Sequence, residues 1–336
     1  MADTTDTTAT SSPANPRSFW ATRAGNALPV ILFAAFALLP FIAAATSESY
    51  LLSLVTRVMI FAIAALALDL LVGYGALVSF GHAAFMGLGG YAVGILSAHG
   101  IDDTLIALPT ALAVSALFAY VTGAVCLRTK GVYFIMITLA FGQMAYFTAA
   151  SLAPYGGDDG MTLGGRSTIA GFDILSSDRT FYYFVFACLL GTYLLCRALI
   201  ASRFGRVFRG ARENPTRMAA IGFDVVRYQH AAYVIAGMIG GLSGFLLTNA
   251  TEFISPAYMS WQRSGELLIM IIFGGIGTLN GAIIGAAAFL LLEEWLAGFT
   301  EHWKVIFGPL LVIVAVYARG GLLGLAGRIT RRSGRG

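Results

Sequence analysis

The sequence predicts an all-α protein that crosses a membrane as a bundle of about ten helices, and three observations support this. The 336 residues are 58% hydrophobic and 11% charged, and the mean hydropathy is +0.79. That composition leaves too little polar surface for a water-soluble globular protein. Apolar runs of roughly the 20 residues needed to cross a bilayer recur along the chain. Basic residues collect in some of the gaps between the runs, as expected for loops that face the cytoplasm.

Ten apolar runs are candidate spans. They cover 27–45, 50–72, 76–98, 104–127, 131–152, 181–200, 229–249, 265–280, 282–298 and 304–318. The eighth and ninth runs are the weakest, because the glycines at 274, 275, 277 and 281 could mark one long broken helix or a re-entrant element instead of two spans. We expect the membrane domain to extend over residues 27–318.

The chain before the first run is predicted to be a disordered cytoplasmic tail. Residues 1–26 are rich in Ser, Thr, Ala and Asp, and they cannot bury enough apolar surface to offset the entropy lost on ordering. The first run follows Arg17 and Arg23 and ends in Ala43-Ala44-Ala45, which also fits a cleavable signal sequence. The lengths of the tail and of the run favour a retained first span.

Charge orients the predicted bundle. The connection 201–228 carries six arginines and two acids, and the segment 319–336 carries five arginines and no acid. Both are therefore expected on the cytoplasmic side, which makes 319–336 a basic cytoplasmic tail. Four predicted spans lie between these two segments. Because four is an even number, both segments can lie on the same side of the membrane. Counting backwards places Arg128 and Lys130 inside, and it places the loop 153–180, with four aspartates and two arginines, outside.

Many of the 40 glycines lie inside the predicted spans at helical spacing. One stripe in the third span and one in the seventh are formed by Ala83, Gly87, Gly90 and Gly94, and by Gly237, Gly241 and Gly244. Such stripes let helix backbones approach closely in lipid. Tight structural packing explains them, and a surface that slides during transport is compatible with the same pattern.

Asp69 is the best candidate for a functional charge inside a span, because a carboxylate in hydrocarbon is costly. It lies near the predicted inner end of the second span, before the helix-breaking Gly73-Tyr74-Gly75. The alternative is a carboxylate near the interface that is solvated or bonded to backbone freed at the turn.

His82 is the second ionisable candidate. It follows Ser79-Phe80-Gly81 and faces the same side as Phe85 and Gly89. A histidine at this place in a span serves either as a structural residue or as a proton relay, and the sequence leaves both open.

Motifs for catalysis, metal binding and nucleotide binding are missing from the sequence. There is no Gly-x-x-x-x-Gly-Lys-Ser/Thr phosphate loop, no metal-spaced cluster and no nucleophile elbow. Cys126, Cys188 and Cys196 lie in or beside apolar runs, as buried small hydrophobic residues do. The pI of about 9.0 reflects membrane orientation better than nucleic-acid binding. We expect a non-enzymatic chain without cofactor, metal or nucleic-acid partner.

The connection between the sixth and seventh runs predicts a short helix. Asn214 is a favourable N-cap, Pro215 suits the first helical position, and Gly222 suits a left-handed C-terminal stop. Ala219 and Ala220 are small enough for close contact with another surface. Because so short a helix gains little stability alone, we expect it to dock on a partner. A helix that lies at anionic lipid headgroups is the alternative.

At these residues the chain resembles the permease subunits of bacterial ABC importers, specifically the branched-chain amino acid permease of the LivM type. The matching residues are Phe204-Gly205-Arg206, Arg212-Glu213-Asn214, Ala219-Ala220, Gly222 and Arg227-Tyr228. In that family the element resembles a coupling helix that fits a groove of a separate ATP-binding subunit. The resemblance thus implies ATPase coupling by Arg212, Glu213, Asn214, Pro215, Ala219, Ala220 and Gly222.

Further stretches extend the resemblance from about residue 50 to 325. They are Gly73-Tyr74-Gly75 with Ser79–Phe85, Tyr155–Gly160, Ser264–Leu267 with Gly274–Gly277, and Arg319–Leu322. These motifs, together with polar residues inside the predicted spans, identify candidates for the translocation path or gate. The candidates are Asp69, Ser79, Gly81, His82, Phe85, Gly89, Gly274, Gly275 and Gly277. A periplasmic loop is expected at Gly156, Gly157, Asp158, Asp159 and Gly160. Two positions depart from the family: Asp69 stands where many relatives carry Asn, and Pro215 where an acid is common.

The resemblance implies half of a translocation pore in the bacterial inner membrane, with both termini cytoplasmic. Expected partners are a second permease chain, two ATP-binding subunits and a periplasmic binding protein. A path poor in charge suits small zwitterions such as leucine, isoleucine and valine, while the same family fold also serves urea, short amides and some aromatic acids. An ion-coupled secondary carrier that uses Asp69 or His82, and a channel-like protein without partners, are the alternatives from other classes.

Overall fold

A computed structural model describes residues 23–46 and 49–298, and beyond these 302, 305, 307–309, 321, 322 and 324. The predicted tails 1–26 and 319–336 and the tenth run 304–318 therefore lie largely outside the described residues. The helices are α1 Arg23–Thr46, α2 Ser49–Gly75, α3 His82–Ala98, α4 Thr104–Cys126, α5 Val132–Ala150, α6 Asp178–Ala201, α7 Arg203–Glu213, α8 Pro215–Ala220, α9 Val225–Thr251, α10 Trp261–Gly274 and α11 Leu279–Ala297.

Strand structure in the described part is confined to one short antiparallel pair. It consists of β1 Met161–Thr162 and β2 Phe253–Ile254. Single 3₁₀ turns lie at Ala153–Tyr155, Ile174–Ser176 and Pro256–Met259. The prediction of an all-α membrane bundle is confirmed, because α2, α4, α5, α6, α9 and α11 are long and apolar enough to cross a membrane.

The core of the bundle is formed by α2 and α9. Residues 58–71 of α2 are buried almost without exception, and α9 packs along α2, α3 and α4. A helix that is apolar on every side must be shielded from water by neighbouring helices or by lipid, and α2 is shielded by neighbouring helices. The helices α4, α5 and α6, by contrast, leave most of their surface outside the described bundle.

Glycines allow α9 to approach its neighbours. Gly244 faces the backbone of Met86 in α3, and Gly89 faces the backbone of Gly241, so that a Cβ at either position would overlap main-chain atoms. Close backbone approach of this kind stabilises helix pairs in lipid. The α3 stripe of Gly87, Gly90 and Gly94 receives the side chains of Met259, Ile254 and Met161, and at Gly90 also that of Thr248 in α9.

The predicted helical span 76–98 is wrong at its start, since α3 begins only at His82. Ala76 has a φ of +55°, which ends α2, and the chain then runs without helical structure to Gly81. The side chain of Thr138 accepts a hydrogen bond from the Phe80 nitrogen at 3.2 Å. Ser79 Oγ accepts one from the Gly81 nitrogen at 3.3 Å. Side-chain acceptors therefore replace the helical carbonyls in this break.

The eighth and ninth runs form a helical hairpin. The helix α10 ends at Gly274, Gly275 and Gly277 have φ values of +120° and +78°, and α11 begins at Leu279. The chain folds back there, because Gly274 lies against Gly281 and Gly285 of α11. One continuous broken helix is thus excluded. The 14 residues of α10 extend only about 21 Å, less than the thickness of the hydrocarbon layer.

The loops between the described helices lie at two different ends, in the grouping that the predicted topology expects. The charge parity with 319–336 stays a prediction, because that segment lies largely outside the described residues. Residues 127–131, which include Lys130, line one cleft together with residues of the segment 211–229. We call this the basic end. At the opposite end the Thr104 nitrogen donates to the Thr168 carbonyl at 2.7 Å. This loop end carries residues 151–177.

The first apolar run forms α1, which packs on α6. The Tyr182 hydroxyl donates to the carbonyl of Phe36 at 2.6 Å, and the Phe33 ring lies 5.2 Å from that of Tyr193. The retention of this helix as a span stays a prediction.

Candidate functional site

The short helix α8 projects from the basic end and is built as the sequence predicts. The Asn214 side chain caps it by accepting a hydrogen bond from the Arg217 nitrogen at 2.9 Å, and Pro215 is its first residue. Gly222 follows the helix with a φ of +97°, the left-handed conformation that glycine adopts without strain. No residue of α8 is buried, so the helix presents Ala219, Ala220 and the following Ile221 outward.

The helix α7 precedes α8 and was not expected from the sequence. Its apolar residues Val207, Phe208 and Ala211 are buried, whereas Arg203 and Arg206 are exposed. A signal was available, because apolar residues at 204, 207, 208 and 211 repeat with the period of an amphipathic helix. The coupling segment therefore consists of two helices, with the predicted Arg212 and Glu213 at the end of the first.

The helix α7 is fixed to the end of α2 by two contacts. The Phe208 ring fills the space over Gly75, where a Cβ would overlap it. The Arg212 guanidinium donates from Nη1 to the carbonyl of Gly73. Since α2 ends at Gly75, this guanidinium satisfies one of the carbonyls that lack an intrahelical partner. The end of α7 and the last turn of α2 are therefore in direct contact.

Asp69 lies one turn before these contacts and joins α2 to the turn between α10 and α11. Its Oδ1 accepts a hydrogen bond from the Gly277 nitrogen at 2.7 Å, and the side chain is fully buried. Its Oδ2 has no hydrogen-bond partner among the described residues. Gly73 leaves the room for this contact, because the Gly277 backbone occupies the place of its missing Cβ.

The predicted gate glycines belong to this same turn. Gly274, Gly275 and Gly277 form it, and Gly321 of the predicted Arg319–Leu322 stretch lies against the backbone of Gly274 and Gly275. The structure thus brings Asp69 and the three gate glycines together at the basic end, beside the coupling segment.

The other path candidates lie around the start of α3. His82 and Phe85 are fully buried, and their rings meet edge to face at 5.3 Å. Neither ring nitrogen of His82 has a hydrogen-bond partner in the part of the chain that the structure describes. The Phe85 ring also meets the Tyr233 ring edge to face, with centroids 5.7 Å apart. This packing closes the space around His82 in the observed conformation.

Two further contacts hold the beginning of α3. Gly81 lies against the Thr138 carbonyl of α5, where a Cβ would overlap it. Ser264 of α10 accepts a hydrogen bond from the Ala83 nitrogen at 3.0 Å. The first turn of α3 is therefore held by α5 and α10, and Gly89 lies further along α3 at its crossing with α9.

The predicted loop residues form a tight turn at the loop end. Gly156 and Gly160 have φ values of +85° and +82°, and the Gly160 nitrogen donates to the Gly156 carbonyl at 3.2 Å. Gly157 is also left-handed, with a φ of +54°. Asp158 and Asp159 are exposed at the tip of the turn.

Arg166 organises the rest of this loop and was not singled out in the sequence. Its guanidinium lies 2.6 Å from an Asp178 carboxylate oxygen and 3.8 Å from Glu252. It also lies over the Phe181 ring, 4.8 Å from the centroid. Asn249 is a second residue that we missed: it is buried in α9 and accepts a hydrogen bond from the Ser167 nitrogen at 2.8 Å. For Asn249, a polar amide at the end of a predicted span was a usable signal. For Arg166, the sequence showed a positive charge in the loop but did not indicate its partners.

A cleft of about 640 Å³ opens at the basic end. It is lined by the break after α2, the α4–α5 loop, the coupling segment and the start of α9. Lys130 and Arg212 line it together with apolar residues such as Val78 and Phe134. The described residues contain no group of three or more His, Cys, Asp or Glu side chains that could hold a metal.

The described contacts at both ends join helices to one another. Together with the six helices that are long and apolar enough to cross a membrane, they define a multi-pass membrane protein. Residues 50–315 match the family described as the permease component of the branched-chain amino acid transport system. The chain belongs to this family, and the resemblance to permeases of the LivM type is confirmed.

The relatives fall into two groups of permease proteins. The chain is 27% identical to the high-affinity branched-chain amino acid transport system permease protein LivM of Salmonella typhimurium, over 80% of this chain and 68% of the relative. It is 25% identical to LivM of Escherichia coli over the same shares of both chains. It is also 27% identical to LivH of Escherichia coli, over 37% of this chain and 40% of the relative. No solved structure matches the chain.

Proposed function

We propose that this chain is the translocation subunit of an ATP-driven importer for branched-chain or other small amino acids. The observation that carries the proposal is the exposure of α8, a capped helix with no buried residue that presents Ala219, Ala220 and Ile221 outward. A helix of six residues that is held rigidly but left uncovered is suited to docking on another protein. The names of the LivM relatives support the solute class.

The partners in this proposal are a second permease, two ATP-binding subunits and a periplasmic binding protein. Similarity to LivH as well as LivM supports pairing with a related permease chain. In this arrangement α8 enters a groove of an ATP-binding subunit, and the basic end faces the cytoplasm of a bacterium. Both termini are then cytoplasmic, and the turn 156–160 faces the binding protein from the outer side of the inner membrane.

Coupling would follow the contacts at the basic end. Closure of the ATP-binding subunits displaces α8 and α7, and Phe208 and Arg212 transmit the displacement to the end of α2. Asp69 then moves the turn that contains Gly277. Switching by such a rigid-body shift requires contacts with two discrete arrangements rather than a strong solute site.

The start of α3 is proposed as the gate. Ser79, Gly81, His82, Phe85 and Gly89 are packed without open space around them, which supports a closed passage in this conformation. A shift of the turn at Gly274 and Gly275 would reach this gate through α10, whose Ser264 holds the first turn of α3.

Leucine, isoleucine and valine are the solutes proposed first, and urea, short amides or aromatic acids are the alternatives carried by the same machinery. An ion-coupled carrier is a second candidate function. The unpartnered Oδ2 of Asp69 and the ring nitrogens of His82 favour it, because buried polar atoms without partners often mark ion pathways.

Uptake of labelled leucine and labelled urea tests these proposals. Proteoliposomes would hold this chain, its partner permease and the ATP-binding subunits, with binding protein outside and ATP inside. ATP-dependent leucine uptake that unlabelled isoleucine suppresses is the expected result. Uptake of urea alone would overturn the solute class, and uptake without ATP and the ATP-binding subunits would favour the ion-coupled carrier.

Deletion of residues 214–222 tests the docking role of α8. We expect loss of co-purification with the ATP-binding subunits while the bundle keeps its unfolding temperature. Normal assembly of the shortened chain would overturn this role.

A further inference from the structure

The helix α5 has one packed face and one face that no other described residue covers. Thr138, Gly142, Ala145 and Ala149 form a buried stripe that packs on α3 and on the 3₁₀ turn Pro256–Met259. On the other side the exposed residues include Met136, Met144 and Phe147, each about 60% exposed. The second face therefore meets lipid, a partner chain or the solute path.

Gln143 lies at the edge of this exposed face, about midway along α5. It is the twelfth of the 19 residues of α5, which places it about 16 Å from one end of the helix and about 10 Å from the other. Its side chain is partly exposed, and no hydrogen bond to it is formed within residues 23–46 and 49–298. It is shorter than the Lys and Arg side chains that reach the interface from inside a span.

Two buried or partly buried asparagines within the bundle, Asn249 and Asn280, are hydrogen-bonded. Asn249 accepts from the Ser167 nitrogen at 2.8 Å and donates to the Phe245 carbonyl at 2.9 Å. Asn280 accepts from the Tyr193 hydroxyl at 2.9 Å. An unsatisfied amide in hydrocarbon is costly. The face of α5 at Gln143 thus requires a polar neighbour, and residues 23–46 and 49–298 do not supply one.

The surroundings of Gln143 indicate which polar neighbour fits. The adjacent Gly142 packs on the break before α3, where its missing Cβ would lie 3.2 Å from the Gly81 Cα. Phe80 of the break is partly exposed, and its ring lies 4.0 Å from the Cβ position of Gly265 in α10. Non-helical backbone at membrane depth occurs where protein buries it or where it lines a polar passage.

We propose that the face of α5 around Gln143 lines the solute path, and that the Gln143 carboxamide is a specificity-determining contact to the polar end of a small zwitterion. The inference rests on the proposed function. A carboxamide both donates and accepts, so it can bind either the ammonium or the carboxylate of an amino acid without adding charge to the path. The adjacent Met136 and Met144 side chains adapt to aliphatic groups of different shape.

Thiol labelling tests whether this face of α5 is accessible to water. In a full transporter whose three cysteines are replaced by alanine, Gln143→Cys is compared with Leu117→Cys, a position on the exposed face of α4 that is 66% exposed. A charged, membrane-impermeant thiol reagent is expected to label Gln143→Cys and to leave Leu117→Cys unmodified. Absence of labelling at 143 in a complex that assembles and hydrolyses ATP would overturn the proposal.

Uptake kinetics test the contact itself. For Gln143→Leu we expect the KM for leucine uptake to rise by at least about tenfold, as for the loss of one hydrogen bond to a charged group. ATP hydrolysis stimulated by the binding protein should stay within about twofold of the native complex, and Gln143→Asn should recover part of the affinity. An unchanged KM would overturn the specificity role.

The two experiments separate this inference from the proposed function. A native complex that imports no leucine would overturn the solute assignment. The labelling at position 143 would still decide whether α5 lines the path. If Gln143→Leu loses the second permease during purification and Gln143→Cys stays unlabelled, the face is an interface between permease chains and the path proposal is wrong.

Discussion

Asp69 and Gly277 are 208 residues apart in the sequence and are joined by one buried hydrogen bond, from the Gly277 nitrogen to Asp69 Oδ1 at 2.7 Å. The bond ties the last turns of α2 to the turn between α10 and α11. Phe208 and Arg212 of α7 contact the same end of α2 at Gly75 and Gly73. The docking segment and the α10–α11 turn therefore share one helix end.

Replacement of Asp69 should separate packing from hydrogen bonding. Asp69→Leu leaves the buried Gly277 nitrogen unpaired, and we expect it to cost about 1–3 kcal/mol and to reduce ATP-coupled uptake. Asp69→Asn keeps a carbonyl acceptor at the same place and should retain most of the stability and most of the ATP-coupled uptake. Unfolding in detergent and uptake in proteoliposomes measure the two effects. Native behaviour of Asp69→Leu in an assembled complex would contradict the role of this bond.

Removal of the Phe208 ring should uncouple α7 from α2. Phe208 is 1% exposed, and truncation of a buried phenylalanine costs about 3 kcal/mol or more. We expect Phe208→Ala to lower the amount of solute transported per ATP hydrolysed. Arg206→Ala, on the exposed face of α7, is the matched control and should behave as the native chain. Equal effects of the two substitutions would show that the contact with Gly75 is not the relevant one.

The cap of α8 should control docking. Asn214→Ala removes the acceptor for the Arg217 nitrogen and should destabilise this short helix by about 1 kcal/mol. Because α8 has no buried residue, the loss should appear as weaker binding of the ATP-binding subunits rather than as unfolding of the bundle. Asn214→Asp retains a capping oxygen and should restore the binding. Titration of the detergent-solubilised chain with the subunits measures this.

The sequence was sufficient to predict those elements whose structure depends only on residues close together in the chain. Asn214, Pro215 and Gly222 each act through their own backbone or within one turn, so the bounds of α8 could be predicted. The apolar runs likewise predicted the spans, because each run must bury or expose its own surface in lipid.

Partnerships between distant elements could not be predicted. Nothing near Asp69 in the sequence identifies Gly277 as its partner, and nothing in the run 76–98 shows that its first six residues leave the helix. The latter depends on Thr138, whose hydroxyl oxygen accepts from the Phe80 nitrogen in place of a helical carbonyl. The unpaired Gln143 likewise emerges only when the neighbours of α5 are known.

Arg166 should hold the loop end together. Arg166→Ala removes the ion pair with Asp178 and the contact with the Phe181 ring, and an ion pair with a half-exposed carboxylate contributes about 1 kcal/mol or less. We expect faster hydrogen exchange across residues 166–178 and no change in α2 or α9. Arg179→Ala, an exposed position in the adjoining first turn of α6, should leave exchange unaltered. A uniform increase over the whole bundle would instead indicate general destabilisation.

The crossing of α3 and α9 should tolerate no added methyl group. The missing Cβ of Gly244 would overlap the Met86 carbonyl of α3, and main-chain atoms cannot move aside without separation of the two helices. We expect Gly244→Ala to cost about 1–3 kcal/mol, as for an overpacked core. Gly191→Ala in α6 is the control, because nothing lies within 4 Å of its Cβ position, and alanine is the better helix former. Unfolding midpoints in detergent should therefore fall for Gly244→Ala and stay level or rise for Gly191→Ala. Equal midpoints would mean that α3 and α9 can slide apart at little cost, which is what a moving gate at the start of α3 would require.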